Sequence, residues 1–338
     1  MKIPSRSILI IYALGLLLIV LFLLDIRLGS LSITFADMLS HLMGRTELSE
    51  QQVLILTKFR LPRIATALMA GAALPVCGLQ MQTLFRNPLA GPYVLGISSG
   101  ASFGAAIVVL GAGATGLVAT WSLAIAAWIG AGTVMLLLLF VSYRIKDVMT
   151  ILILGIMFSS GLAAIISIMQ YFSQAAALKS FVIWSMGSLG NVTGAQLTIM
   201  AWAILPLLMV TLAYSKVLNG LMLGEEYALS MGVRIQRTRL VIFATTSIMA
   251  GTITAFCGPI GFIGIAVPHM ARFLLNRSDH RVLMPASMLT GMVVMVFSDI
   301  VSRLPGTEQI LPINAVTSLI GIPVVIWLVV MNRKAQSL

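Results

Sequence analysis

Long apolar stretches separated by short polar ones run along almost the whole of this chain. Most are apolar on every face, as expected of helices surrounded by lipid. Each bilayer crossing needs roughly 20 mostly apolar residues. The pattern predicts an all-α polytopic membrane protein with about ten transmembrane helices, in which the stretch at 260–275 is the least typical span. The ten stretches lie at about 8–24, 62–83, 93–111, 118–141, 149–172, 196–214, 239–257, 260–275, 283–302 and 312–331.

Composition agrees with a single transmembrane domain over residues 1–338. Only 9% of the residues are charged, whereas soluble domains carry about 25%. The net charge of +11 would suggest nucleic acid as a partner of a soluble protein. Basic residues at helix ends are ordinary in membrane proteins, so we expect a lipid bilayer and no nucleic acid. The opening MKIPSRS precedes no small-residue cleavage site, so the first stretch is interpreted as a retained helix rather than a signal peptide.

The distribution of lysine and arginine predicts the orientation. With the N-terminus inside, 14 of the 21 basic residues fall in cytoplasmic segments. The opposite orientation inverts that ratio, and cytoplasmic loops carry the excess of positive charge. Both termini are therefore predicted to be cytoplasmic.

An internal repeat appears at an offset of 180 residues. The two copies begin the second and seventh helices, which run in opposite directions. This arrangement predicts an inverted repeat that relates the second to fifth helices to the seventh to tenth; chance matching between Ala/Gly-rich helices is the alternative. The residues that recur 180 positions later are Thr66, Met69, Ala70, Gly71, Cys77, Gly78 and Pro88.

Motifs for covalent chemistry and for metal binding are missing from the sequence. It has no Gly-x-x-x-x-Gly-Lys-Ser/Thr phosphate loop, no His-Glu-x-x-His and no Gly-x-Ser-x-Gly. The three histidines show no ligand spacing, and Cys77 and Cys257 lie in apolar stretches as small buried hydrophobes. A membrane enzyme is disfavoured. An ion-coupled secondary transporter would need ionisable residues at the midplane, where Asp299 is the only acid.

A series of motifs carries a family resemblance. The second and third helices read FRLPRIATALMAGAALPVCGLQMQTLFRNPLAGPYVLGISSGASFG, and PIGFIGIAVPH and DIVSRL follow later. This series resembles the permease subunits of bacterial ABC importers for ferric siderophores, haem and cobalamin (type II importers), over essentially the whole chain. The resemblance implies a homodimer in the inner membrane, two ATPase subunits and one periplasmic binding protein. It implies ATP and Mg on the ATPase and no cofactor on this chain. We rank ferric siderophores first as cargo, then haem or cobalamin.

The longest cytoplasmic loop spans about 214–239. Two glycines bracket a short helical stretch there, in which Tyr227, Leu229 and Met231 offer apolar contacts to a partner, and two glutamates lie near its N-terminus. In the resembled family this loop forms the coupling helices that enter a groove of the ATPase; an ordinary solvated loop is the alternative. The predicted coupling residues are Gly224, Glu225, Glu226, Tyr227, Leu229, Ser230 and Gly232.

Three arginines are predicted on the outer face. Arg60 and Arg63 stand at the mouth of the second helix, and Arg303 follows Asp299 by one helical turn, so that those two can pair. An exposed arginine can bind a carboxylate through two parallel hydrogen bonds. By resemblance, Arg60, Arg63 and Arg303 receive glutamates of the binding protein. The alternative is that they are interfacial anchors.

The remaining expectations concern the pathway. By resemblance, the fifth helix lines it with Met149, Met157, Ser159 and Ser160, the final helix is its counterpart across the dimer axis, and the turn at 146–150 forms the inner gate. Sequence alone would equally make these residues helix-packing positions. The stretch PIGFIGIAVPH predicts an interrupted helix that serves close packing, with His269 as a polar anchor.

Overall fold

The computed structural model describes residues 5–28, 49–93, 95–111, 117–145, 147–303 and 310–336, and their regular structure is helical. Short π-helical turns, Leu56–Arg60 and Ile107–Gly111, precede α3 and extend α4. The helices are α1 (Ser5–Arg27), α2 (Glu50–Ile55), α3 (Leu61–Phe85), α4 (Ile97–Ala106), α5 (Leu117–Arg144), α6 (Val148–Phe172), α7 (Ala175–Ser185), α8 (Gly194–Ala213), α9 (Ser215–Met222), α10 (Glu225–Ser230), α11 (Ile235–Cys257), α12 (Ile263–Leu275), α13 (His280–Ser302) and α14 (Ile313–Gln336).

The all-α polytopic architecture is confirmed, since each of the ten apolar stretches coincides with a helix. Within the described residues, 7 helices are long and apolar enough to cross a membrane. The shorter apolar helices are Ile97–Gly111, Ala175–Ser185, Ile263–Leu275 and Ile313–Trp327. Helix α7 was not among the predicted stretches. Its 11 residues would extend only about 16 Å, well short of the roughly 30 Å hydrocarbon core.

Helices α3, α11 and α13 form the centre of the bundle. In the continuous helical segment Glu50–Phe85, which ends with α3, 83% of the apolar part is buried, against 6% in α1 and 22% in α6. The centre is rich in small side chains, such as the fully buried Ala67, Ala70 and Ala73. Apolar residues gain little by leaving lipid for protein, so helix association depends on this close packing.

Glycines make the closest helix contacts possible. A Cβ on Gly71 of α3 would lie 2.6 Å from the carbonyl oxygen of Gly291 on α13. A Cβ on Gly78 would overlap the backbone of Gly264 at the start of α12. These positions exclude any side chain, because the atoms in the way belong to a helix backbone.

Helix contacts follow the internal repeat. Helix α3 packs against α12 and α13, and its counterpart α11 packs against α4 and α5. Likewise α4 contacts α5 and α6, as α12 contacts α13 and α14. At the residue level, Gly71 meets Gly291, and Gly251, 180 positions later, meets Ala131 of α5. The predicted relation between the two halves is thus visible in the tertiary contacts.

Two non-helical segments, 87–93 and 258–262, interrupt the bundle and meet inside it. Ile260 donates its backbone N–H to the Tyr93 hydroxyl at 3.5 Å. His269 donates from Nε2 to the Pro88 carbonyl at 2.7 Å and accepts at Nδ1 from Arg272 at 3.1 Å. Irregular backbone at membrane depth is tolerated where protein surrounds it. His269 is therefore the polar anchor that was expected, and it ties α12 to the first segment.

The long helices connect two ends of the molecule. The loop end carries α9 and α10, and the arginine end carries Arg60, Arg63 and Arg303. Helix α1 reaches the arginine end, where Arg60 contacts Ile26, and α14 starts there, beside Gly261. Helix α1 therefore begins, and α14 finishes, at the loop end, which places both on the same side as α9 and α10.

Candidate functional site

The loop end presents a short exposed helix. Gly224, with φ 122°, precedes α10, and Gly232, with φ 81°, follows it. Positive φ values favour glycine strongly, so the two glycines fix the ends of this helix. Tyr227, Leu229 and Met231 are each more than half exposed. The bracketed helix and its apolar side chains match the sequence prediction, and such a surface outside the membrane suits a protein partner.

The two glutamates of α10 have different surroundings. Glu225 pairs with Nη2 of Arg239 at 2.6 Å, and the Arg239 side chain is 4% exposed. Glu226 is exposed, and no ion pair joins it to another described residue. The sequence analysis treated the two acids alike and did not identify Arg239. The sequence could have pointed to Arg239, because it is a basic residue near the start of a long, mostly apolar helix.

Helix α9 is tied to the bundle by a chain of hydrogen bonds. The Asn219 amide donates to the Asp279 carboxylate at 2.6 Å, and its oxygen accepts from the His280 backbone N–H at 2.8 Å. His280 Nε2 lies 2.8 Å from the Thr83 hydroxyl of α3. Asn219 thereby joins α9 to both α3 and α13. Sequence reasoning did not identify this connection, because its partners are distant in the chain.

A cavity of about 610 Å³ lies between α10, the end of α3 and the start of α6. Its lining includes Arg86, Asp147, Glu226 and Arg239. Asp147 caps α6 by accepting the backbone N–H of Thr150 at 2.9 Å. Hydrogen bonds from the Thr150 side chain and backbone, helped by the charge of Arg239, hold the pKa of Asp147 below its usual range. The cavity therefore brings charges of both signs together beside the predicted coupling helix.

The predicted pathway residues lie along α6. Met149 lines the cavity just described, and Met157 is 63% exposed. The Ser159 and Ser160 hydroxyls donate to backbone carbonyls of their own helix, at 2.9 and 3.0 Å. With their hydroxyls satisfied in this way, the serines offer small surfaces of low polarity. Residue 146 of the predicted gate lies outside the described residues, and the pathway role stays a prediction.

The arginine end holds a buried cluster of charges. Arg63 donates from Nε to both carboxylate oxygens of Asp299, at 2.8 and 3.0 Å. Arg303 binds Asp299 at 2.9 Å, so the predicted pair is confirmed, and it also pairs with Asp25 of α1. Both acids are fully buried. The sequence analysis identified neither Asp25 nor the bond between Arg63 and Asp299.

The expectation that all three arginines stand exposed is wrong. Arg60 is 5% exposed, and its guanidinium donates to the Ile26 carbonyl. The Arg63 and Arg303 side chains are each 13% exposed. A buried carboxylate needs a compensating charge, which draws Arg63 and Arg303 inward. Docking of a binding protein at Arg60, Arg63 and Arg303 stays a prediction, with exposed edges at the latter two.

This chain is similar to known proteins over nearly its whole length. The sequence model of the FecCD transport family matches residues 17–331. The vitamin B12 import system permease protein BtuC of Klebsiella pneumoniae is 39% identical over 287 residues, 85% of each chain. The hemin transport system permease protein HmuU of Yersinia pestis is 34% identical over 329 residues, 96% of this chain and 97% of that protein. A solved inward-facing metal-chelate type ABC transporter has a TM-score of 0.84 and 28% identity, and covers 95% of this chain and 99% of its own.

Proposed function

Because this chain belongs to the FecCD transport family, we propose that ATP hydrolysis on a separate subunit drives its cargo inward. The chain is a permease of the metal-chelate, vitamin B12 or haem type of ABC importer, a multi-pass membrane protein. Its relatives are transport subunits and not enzymes.

The observation that carries the proposal is α10. A short helix between two glycines of positive φ presents an apolar row outside the membrane-spanning helices. The sequence lacks a phosphate loop, so ATP and Mg would bind a partner ATPase. In this proposal the partner's groove receives α10, and the contacts come from the predicted coupling residues, Gly224, Glu225, Glu226, Tyr227, Leu229, Ser230 and Gly232.

The assembly follows the family pattern, with two copies of this chain, two ATPase subunits and one binding protein. Its setting is the bacterial cytoplasmic membrane, with both termini in the cytoplasm. The exposed side of α6, with Met157 and Ser160, supports a pathway between two copies, with α14 opposite. At the other end, the exposed edges of Arg63 and Arg303 meet the binding protein's carboxylates, and Arg60 serves as an internal anchor.

The cargo is a metal chelate. The relatives are named for vitamin B12 and for hemin, and these names support a metal-centred ring compound, with a ferric siderophore as the other candidate. A pathway lined by methionines and internally bonded serines suits such cargo, because these side chains hold no charge that would trap it.

The test uses liposomes containing the permease and its co-expressed ATPase, with the binding protein present or absent. We expect the binding protein to raise ATP hydrolysis, and ATP to drive uptake of cyanocobalamin, hemin or ferrichrome, each supplied separately. The double variant Glu225→Gln/Glu226→Gln should abolish the stimulation, because the coupling helix loses both acids.

Arg277 of the α12–α13 loop, which is partly exposed, provides a control, and Arg277→Gln should keep the stimulation. Uptake driven only by an ion gradient, with no stable ATPase complex, would contradict the proposal. That result would favour the alternative of an ion-coupled secondary transporter.

A further inference from the structure

Arg239 lies where three parts of the loop end meet. It occupies the second turn of α11, its side chain is 4% exposed, and it holds Glu225 of α10 at 2.6 Å. It also lines the same cavity as Asp147 and Met149, which begin α6. One buried cation therefore has an acid of the coupling helix on one side and the capping acid of α6 nearby.

The helix that carries Arg239 is fixed in place. Its neighbours Thr238, Ile242 and Phe243 are buried against the bundle, and α11 packs against α3, α5 and α8. A guanidinium held this way has little freedom, and its burial is tolerated only with compensating charge around it. Arg239 is thus a stationary charge against which more mobile acids take up their positions.

We propose that Arg239 is a positioning residue that passes movement of α10 on to the start of α6. The inference rests on the proposed function, in which an ATPase moves α10. When the partner shifts α10, the bond between Glu225 and Arg239 rearranges. The electric field at the Asp147 carboxylate then changes. This alters the hydrogen bonds by which Asp147 caps the first turn of α6.

Loss of Arg239 should leave the loop folded. Helix α9 keeps its bonds through Asn219 to Asp279 and His280. Glu225, whose side chain is 36% exposed, can turn to water. The variant Arg239→Gln therefore separates transmission from assembly, since α10 remains available to the ATPase.

Two spin labels report the two steps separately in the permease–ATPase complex. Met231→Cys beside α10 reports docking, and Ile153→Cys reports movement of α6; both native side chains are exposed. The native Cys77 and Cys257 form no disulfide but are buried, and their burial limits background labelling. In the otherwise intact chain, ATP should change both spectra.

In Arg239→Gln we expect the response at position 231 to persist and the response at 153 to fall at least about five-fold, the lower range of allosteric coupling. Glu225→Gln should reduce the response at 153 to a similar extent, and Arg239→Gln/Glu225→Gln should reduce it no further than either single variant, because both remove the same link. Arg239→Lys should restore part of the response by keeping the charge.

The matched control is Arg237→Gln, an exposed arginine of the same helix, which should respond as the intact chain does. An unchanged response at 153 in Arg239→Gln, or an equal loss in Arg237→Gln, would overturn the inference. Absence of any ATP response at position 231 in the intact complex would count against the proposed function instead.

Discussion

Asp25 and Asp299 are fully buried acids at the arginine end, and both are compensated by arginine. Asp299 receives Arg63 and Arg303 together, while Arg303 also contacts Asp25. The cluster joins α1, α3 and α13 through charge-assisted hydrogen bonds, which are stronger than bonds between neutral groups. At this scale, two of the three arginines that were predicted to receive a partner's carboxylate, Arg63 and Arg303, already pair with carboxylates of this chain.

Removal of Asp299 should destabilise the protein strongly. Asp299→Asn keeps the size of the side chain but leaves two largely buried guanidinium groups without their shared acid. We expect a loss of about 3–5 kcal/mol, the usual cost of breaking a buried pair from one side. Thermal unfolding of the detergent-solubilised chain measures it. The exposed Glu50→Gln serves as control, and equal melting temperatures for the two variants would show that the cluster contributes little.

Central and peripheral helices differ in the size of the side chains that they present. Central α3 and α11 are built from small residues that let backbones touch, whereas peripheral α1 and α6 expose large apolar side chains such as Leu16 and Met157. Contacts between central helices depend on atomic fit, because lipid competes for any apolar surface. The cost of replacing a glycine at these contacts should therefore depend on whether backbone or side-chain atoms lie opposite its Cα.

Gly71→Ala should cost about 1–3 kcal/mol through overpacking, because the new Cβ meets the backbone of Gly291. Gly251→Ala, the equivalent position in the second half, should cost less, since the opposing atom is the Ala131 side chain at 3.1 Å. Gly132→Ala has open space around its Cβ and should be neutral or stabilising. Melting temperatures of the three variants test this order, and a reversed order would contradict it.

The start of α1 and the end of α14 lie at the same end of the molecule as α9 and α10, and the arginine cluster lies at the opposite end. Such polarity suits a transporter that meets different partners on the two sides of a membrane. The excess of basic residues predicts that the loop end lies in the cytoplasm.

Labelling with a membrane-impermeant maleimide tests this orientation in a chain whose buried Cys77 and Cys257 are replaced by alanine. Met231→Cys should react in inside-out vesicles only, and Gln174→Cys, beyond α6, should react in intact cells whose outer barrier is permeabilised. Both native side chains are exposed. The opposite pattern of labelling would invert the proposed topology, and reaction of both sites from one side would contradict the fold.

The amino-acid sequence alone determined the ten long apolar helices, the repeat at 180 residues and the short helix between Gly224 and Gly232, but not α7. These features depend on local composition, on helix length relative to the bilayer and on the φ freedom of glycine, all of which are readable along the chain. The neighbouring pair Asp299 and Arg303 was predictable for the same reason, being one helical turn apart.

Tertiary structure alone decided which charges that are not neighbours on one helix meet. Arg63 finds Asp299 across 236 positions of sequence, and Arg239 finds Glu225 through a turn whose path no periodicity describes. Helical patterns specify which residues share a face, whereas the partner of that face depends on how whole helices pack. The buried state of Arg63 and Arg303 follows from that packing, since burial of Asp25 and Asp299 required their charge.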